Sequence, residues 1–376
     1  MHCDRHRWQL FESSATCPPE EARVLIARGG RGNPVSGLFT HLAQSPDYTT
    51  PSDTTIHPMT DIDFSGVFPA MVTPFTEDNE IDTESLRADA QRLETAGVDG
   101  LVPMGSTGES ATLSHAEHVE AVEAVVDAVE DVPVIAGTGS NNTAEALELS
   151  RQAADAGADA LLLISPYYNR PEPQGMYNHY EEVADTVDLP QIVYNVPSRT
   201  GRNIAVDTAI DLADHPNIAG YKAASGDLNR ISEIIERTRD KEFAVLSGDD
   251  GMTLPILAAG GDGAISVVAN IEPERACAMV GAALEGDYAF ARAIHHELGP
   301  LTRQLFVEAN PIPVKAAMAM RGHTPKHIRS PLTELSEEHC GELQTRLAEL
   351  NDEPAEPTDG DAPDTDSTDG DAEATN

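Results

Sequence analysis

The chain reads as an α/β protein of the (β/α)8, or TIM, barrel class with a C-terminal helical appendage. Three observations predict this. Eight short apolar runs recur over roughly 210 residues. Amphipathic segments separate most of them. The polar residues with chemical potential fall just after the runs, where a barrel keeps its active site. The competing architecture is an open doubly wound sheet, which usually carries a glycine-rich phosphate loop after its first strand. Here that position reads TPFTEDNE.

The runs, in order, are GVFPAMV (66–72), DGLVPM (99–104), PVIAG (133–137), ALLLI (160–164), PQIVYN (190–195), IAGYK (218–222), FAVLS (243–247) and GAISVV (263–268). They are short and apolar throughout, as strands buried on both faces are. Between them ESLRADAQRLETAG, HAEHVEAVEAVVDAVE and TAEALELSRQAADAG repeat apolar residues at helical spacing. Gly97 and Gly157 follow two of these segments, where a helix wants its C-terminal glycine. DDGMTLPILAAGGD is a short linker, still helical in pattern. Further helical segments, such as PERACAMVGAALEG and SEEHCGELQTRLAEL, occupy 273 to about 351. Residues 59–290 are expected to form the barrel and 291–351 the C-terminal helices.

The two ends differ from this pattern. Residues 1–58 hold the only tryptophan and two of four cysteines, and Gly-Arg and Ser/Thr/Pro clusters break any periodicity. They are expected to be disordered or a non-native extension of the reading frame, with Met59 as a natural start. Residues 352–376 hold ten acids, no bases and no large apolar residue. Such a segment cannot bury enough surface to fold, so a disordered acidic tail is expected.

Composition excludes several functions. A net charge of −40, from 64 acids against 24 bases, repels nucleic acid and anionic membranes. No apolar run reaches the roughly 18 residues of a transmembrane helix, and no signal peptide is apparent, so a cytoplasmic location is expected. Scarce lysine with abundant Asp and Glu suits a halophilic cytoplasm, where salt screens self-repulsion. Cys3, Cys17, Cys277 and Cys340 lack CxxC spacing, which argues against a disulfide framework or a zinc site. His115 and His118 can share a helix face, but a zinc site needs further ligands. No metal or organic cofactor is expected.

The lysines carry the functional argument. Only four exist, at 222, 241, 315 and 326, against 20 arginines. Lys222 ends an apolar run among uncharged neighbours in IAGYKAASG. Burial there without a carboxylate would lower its pKa, because desolvation penalises the ammonium form. A neutral amine attacks ketones and gives a Schiff base, an electron sink for an adjacent carbanion. Tyr194, ending the neighbouring run, can pass protons to and from the adduct, with Thr107 and a second tyrosine in a hydrogen-bonded chain. Arg199 offers a planar fork for a carboxylate. The loop SGDDG would repel a phosphate, which disfavours a phosphate-binding barrel.

GSTGESATLSHAEH, SPYYNRP, PQIVYNVPSRTG, GYKAASGDLNR, LSGDDG, GGDGAISVVAN and FVEANPIPVK together resemble the dihydrodipicolinate synthase branch of the pyruvate-dependent Schiff-base lyases. That family also includes N-acetylneuraminate lyase and 2-keto-3-deoxygluconate aldolases. The resemblance runs from about Gly66 to about residue 345. It implies that Lys222 forms the Schiff base with pyruvate. It implies a relay of Tyr194, Thr107 and Tyr168, with Tyr168 reaching across a dimer interface. Ser106 and Thr107 would hold the pyruvate carboxylate, the backbone of Ile265 would line the same pocket, and Arg199 would bind L-aspartate 4-semialdehyde. The arginine is usually absent from the sugar-acid lyases. A feedback site for L-lysine is implied at Ser110, Ala111, His115, His118, Asn141, Glu145 and Tyr167, and a homotetramer built as a dimer of dimers. Two alternatives stand beside this: a 2-keto-3-deoxy sugar-acid aldolase, and a barrel that binds pyruvate or lysine without turnover.

Overall fold

The computed structural model describes residues 62–350. The expectations for 1–58 and 352–376 lie outside them. Seven parallel strands form one curled sheet: β1 (Gly66–Pro69), β2 (Ile135–Gly137), β3 (Ala160–Ile164), β4 (Gln191–Asn195), β5 (Ile218–Ala223), β6 (Ala244–Ser247) and β7 (Gly263–Ser266). Their order is β1-β7-β6-β5-β4-β3-β2. The helices between them are α1 (Thr83–Thr95), α2 (His115–Val126), α3 (Thr143–Asp155), α4 (Pro173–Thr186), the single turn α5 (Pro197–Thr200), α6 (Val206–Leu212), α7 (Leu228–Thr238) and α8 (Thr253–Ala258). After the sheet come α9 (Pro273–Leu284), α10 (Tyr288–Gln304), α11 (Ile312–Arg321) and α12 (Glu337–Glu349). Among the described residues no helix is long and apolar enough to cross a membrane.

The run at 99–104 departs from expectation, because it forms no regular strand. It makes two isolated parallel bridges, Ala70–Val102 and Leu101–Val134, which join it to both outer strands of the sheet. The physical reason is local. Pro103 has no N–H to give a ladder, and Met104 has left-handed backbone, φ 59°. The helix ends follow the sequence more closely. Gly97 (φ 82°) and Gly157 (φ 90°) take the left-handed conformation one residue beyond the caps of α1 and α3. Ser114 and Glu117 make a reciprocal capping box on α2.

Alternation along the strands separates two layers. Leu162, Ile192, Tyr194, Leu246 and Ile265 join Phe68 and Val102 in one apolar cluster on the concave face. Leu161, Leu163, Val193, Tyr221 and Val245 face the other way and pack on the helices. A third cluster joins α9 to α12 with Val67, Val72 and Leu257, so the C-terminal helices share their core with β1 and α8. The expected boundary at 290/291 falls inside α10.

Candidate active site

Strand register sets the centre of the site. Tyr194 pairs with Lys222, and Lys222 with Leu246, so amine and phenol sit side by side on the concave face. Lys222 is 6% exposed, and its Nζ lies 4.3 Å from the centre of the Tyr194 ring. Burial pulls the Lys222 amine down to about 7; the carboxylate of Asp250 opposes this, and the charge of Arg199 adds to it. Burial pushes the Tyr194 phenol up to about 12, so it holds its proton at neutral pH.

Two residues not expected from sequence shape the amine's surroundings. Gly248 has no side chain, and a Cβ there would stand 2.9 Å from both Cγ and Cε of Lys222. Glycine at this position therefore leaves room for the lysine stem against the SGDDG loop. Asp250, buried, accepts from Ser266 Oγ at 2.5 Å and from the backbone N–H groups of Val267 and Val268, each at 3.0 Å. Those donors hold the carboxylate in place although burial raises its pKa.

A cavity of about 630 Å³ opens above the amine. Ser106, Thr107, Tyr194, Arg199, Lys222 and Asn310 are among its walls. Arg199 sits on α5, which starts at Pro197 and is capped by Gly201 with φ 77°. Asn195 anchors this turn by donating to Asn203 and accepting from the Ile204 N–H, both at 2.9 Å. Arg199 Nη2 donates to the Asn310 carbonyl at 2.7 Å, and Asn310 Nδ2 donates to Thr107 Oγ1 at 2.9 Å. Ile265 lies below the cavity in the apolar cluster and is not among its walls. Tyr168 is 91% exposed, has φ 66°, and lines neither this cavity nor its neighbour.

The neighbouring cavity, about 510 Å³, shares Ser106, Tyr194, Arg199 and Asn310 with the first. Six residues of the expected lysine site line it: Ser110, Ala111, His115, His118, Glu145 and Tyr167. Asn141 does not; its carbonyl accepts from Asn169 Nδ2 instead. Glu145 accepts from Ser140 Oγ and contacts His115 Nε2 at 3.0 Å, and these two partners hold its carboxyl below the usual carboxylate range. Burial lowers the pKa of His118, whose Nε2 donates to the Gly137 carbonyl at 2.7 Å. His115 and His118 thus serve different contacts, and among the described residues no cluster of three metal-type ligands forms.

The loop 105–108 between the cavities is held by residues without any local signal in the sequence. Met104 and Glu109 flank it in left-handed backbone, φ 59° and 55°. Such conformations persist in bulky residues only where the surroundings enforce them. Here Glu109 is enforced by Lys315, which is 0% exposed and donates to Glu109 Oε1 at 2.6 Å and to the Thr73 carbonyl at 2.8 Å. Lys315 and Asn310 each reach the loop across more than 200 positions of chain.

A buried amine of low pKa, a phenol beside it and an arginine across the cavity suit covalent chemistry on a keto acid. Known proteins agree. A sequence model of the dihydrodipicolinate synthetase family matches residues 63–350. A 4-hydroxy-tetrahydrodipicolinate synthase of Haloarcula marismortui is 72% identical over 298 residues, covering 79% of this chain and 97% of its own. The crystal structure of dihydrodipicolinate synthase from Aquifex aeolicus is 44% identical with a TM-score of 0.75, covering 77% of this chain and 98% of its own. That of the Cyanidioschyzon merolae protein, solved with lysine bound, is 38% identical with a TM-score of 0.74, covering 76% and 98%. With nearly every described residue inside the matched span, the chain belongs to the dihydrodipicolinate synthetase family.

Proposed function

We propose that this protein is a lyase of lysine biosynthesis that condenses pyruvate with L-aspartate 4-semialdehyde, on an eight-stranded barrel closed by the segment 99–104. The observation that carries the reading is the buried, low-pKa amine of Lys222 in register with Tyr194. The Lys222 amine adds to C2 of pyruvate and water leaves, giving the imine. Loss of a C3 proton gives the enamine, whose C3 bonds to the aldehyde carbon while the aldehyde oxygen gains a proton. The α-amine of the aldehyde substrate then attacks C2 and expels Lys222 as the free amine. Two substrates thus become one six-membered ring and one water. Tyr194, with Thr107 and the Tyr168 of a partner subunit, carries the protons. Ser106 and Thr107 hold the pyruvate carboxylate, with Ile265 in the apolar layer beneath.

Arg199 selects the aldehyde by its carboxylate. In a coupled assay the wild type is expected to turn over pyruvate with aspartate semialdehyde. Arg199→Ala should lose most of that turnover, about 100-fold for a charged, partly buried hydrogen-bond pair. Borohydride trapping of pyruvate on Lys222 should survive. Full activity in the variant would reassign the substrate, with faster turnover of ketodeoxygluconate pointing to a sugar-acid aldolase. Failure of the wild type to trap pyruvate or turn over either aldehyde would leave a binding barrel without catalysis.

The second cavity supports feedback by L-lysine. The Glu145 carboxylate suits an ammonium group, and the C. merolae relative binds lysine. Glu145→Gln is expected to raise the lysine concentration for half-inhibition about tenfold or more, since a hydrogen bond to a charged group is lost. An unchanged inhibition curve would remove Glu145 from the site. Tyr168, exposed on a left-handed backbone, supports a dimer-of-dimers tetramer in which it enters a neighbouring site. The acidic, lysine-poor composition supports a halophilic cytoplasm.

A further inference from the structure

Asn310 stands where the two cavities meet, just before α11, and lines both. Its buried side chain donates from Nδ2 to Thr107 Oγ1 at 2.9 Å. Its backbone carbonyl accepts from Arg199 Nη2 at 2.7 Å. One residue therefore touches the relay hydroxyl with its side chain and the carboxylate-binding arginine with its backbone.

A threonine hydroxyl has one proton and two acceptor lone pairs. An amide N–H bonded to one lone pair turns the hydroxyl's own proton away from Asn310. Thr107 lines the cavity that holds Lys222 and Tyr194, so that cavity is open to the proton. A relay works only when donors and acceptors run in one sense along it. We infer that Asn310 is a positioning residue of the proton relay, whose amide sets the direction of the Thr107 O–H while its carbonyl separately seats Arg199. The inference rests on the Schiff-base reading of Lys222 and deepens it.

The two roles come apart on mutation. Asn310→Ala removes the amide and keeps the carbonyl. Lys315 still grips Glu109 at the far end of the loop, so the loop stays attached. Asn310→Asp keeps the size but only accepts, so it takes the Thr107 proton and reverses the sense of the bond.

The test uses the full chain. Borohydride trapping with pyruvate reads the Schiff base. NMR in D2O reads exchange of the pyruvate methyl protons, which needs enamine formation but no aldehyde. Steady-state kinetics read kcat and the aldehyde KM. Asn310→Ala is expected to trap pyruvate like the wild type, to exchange about tenfold more slowly, and to lose kcat in parallel. Its aldehyde KM should stay within about twofold. Asn310→Asp should exchange at least as slowly. Unchanged exchange in either variant, loss of trapping alongside exchange, or a KM rise matching the fall in kcat would overturn the assignment. A wild type that exchanges but ignores the aldehyde would sink the substrate reading, and the exchange rates of the variants would still decide this one. A wild type that neither traps nor exchanges would overturn both.

Discussion

Replacing Lys222 with methionine is expected to abolish borohydride capture of pyruvate and to lower turnover by at least about 10⁴-fold, as loss of a covalent nucleophile does. Lys222→Arg should fail equally, because a guanidinium is always charged and cannot form the imine. Capture in the wild type should rise with pH through about 7 and then level off, since the neutral amine predominates above that value. The same shift also carries a cost in stability. Folding lowers the amine from an ordinary value of 10.5 to about 7. Between those values the unfolded chain binds the extra proton, so this group's contribution becomes more favourable as pH rises. At pH 7 and below its unfavourable contribution is nearly complete. Lys222→Met is therefore expected to melt at or above the wild-type temperature at neutral pH while being inactive. A variant that still captures pyruvate, or a wild-type capture profile flat from pH 5 to 9, would remove Lys222 from the chemistry.

Much of this site was legible because strand register turns sequence position into adjacency. Tyr194 ends one apolar run and Lys222 the next, and parallel pairing puts them on the same rung. The apolar run at 99–104 misled for the opposite reason: hydrophobicity marks burial, while Pro103 and the left-handed Met104 decide whether a ladder can form. The lysines show the limit most clearly. The neighbours of Lys315 in IPVKAAMA are as uncharged as those of Lys222, and both side chains are buried. What separates a nucleophile from a structural cation is Glu109, which meets Lys315 but not Lys222 and lies 206 positions away in the chain. No local pattern encodes that partner. Asn310 and Asp250 have no local signature either, since each acts through a contact made only after folding.

Lys315 should accordingly govern stability where Lys222 governs chemistry. Its amine meets Glu109, the Thr73 carbonyl and the face of Phe75, 4.3 Å from the ring centre. Burial lowers its pKa, and the Glu109 carboxylate works against that shift. Glu109 in turn accepts the Arg329 N–H at 3.1 Å, so one buried pair joins three distant parts of the chain. Lys315→Met would leave the carboxylate buried without a counter-charge, a loss of about 3–5 kcal/mol. Surface pairs such as Arg87–Asp127, with side chains 46% and 69% exposed, contribute at most about 1 kcal/mol and fade in salt. The expected loss at Lys315 should therefore persist from low to high salt, while loss at Arg87 should be small and vanish. Replacing Lys315 and Glu109 together by methionine and leucine should recover part of the stability, because no buried charge is then left unpaired, while the Thr73 carbonyl and the Arg329 N–H still lose their partners. Denaturant unfolding at two salt concentrations measures all three variants. A single Lys315→Met variant within 1 kcal/mol of wild type, or a double variant no better than the single, would show that the pair does not hold the loop.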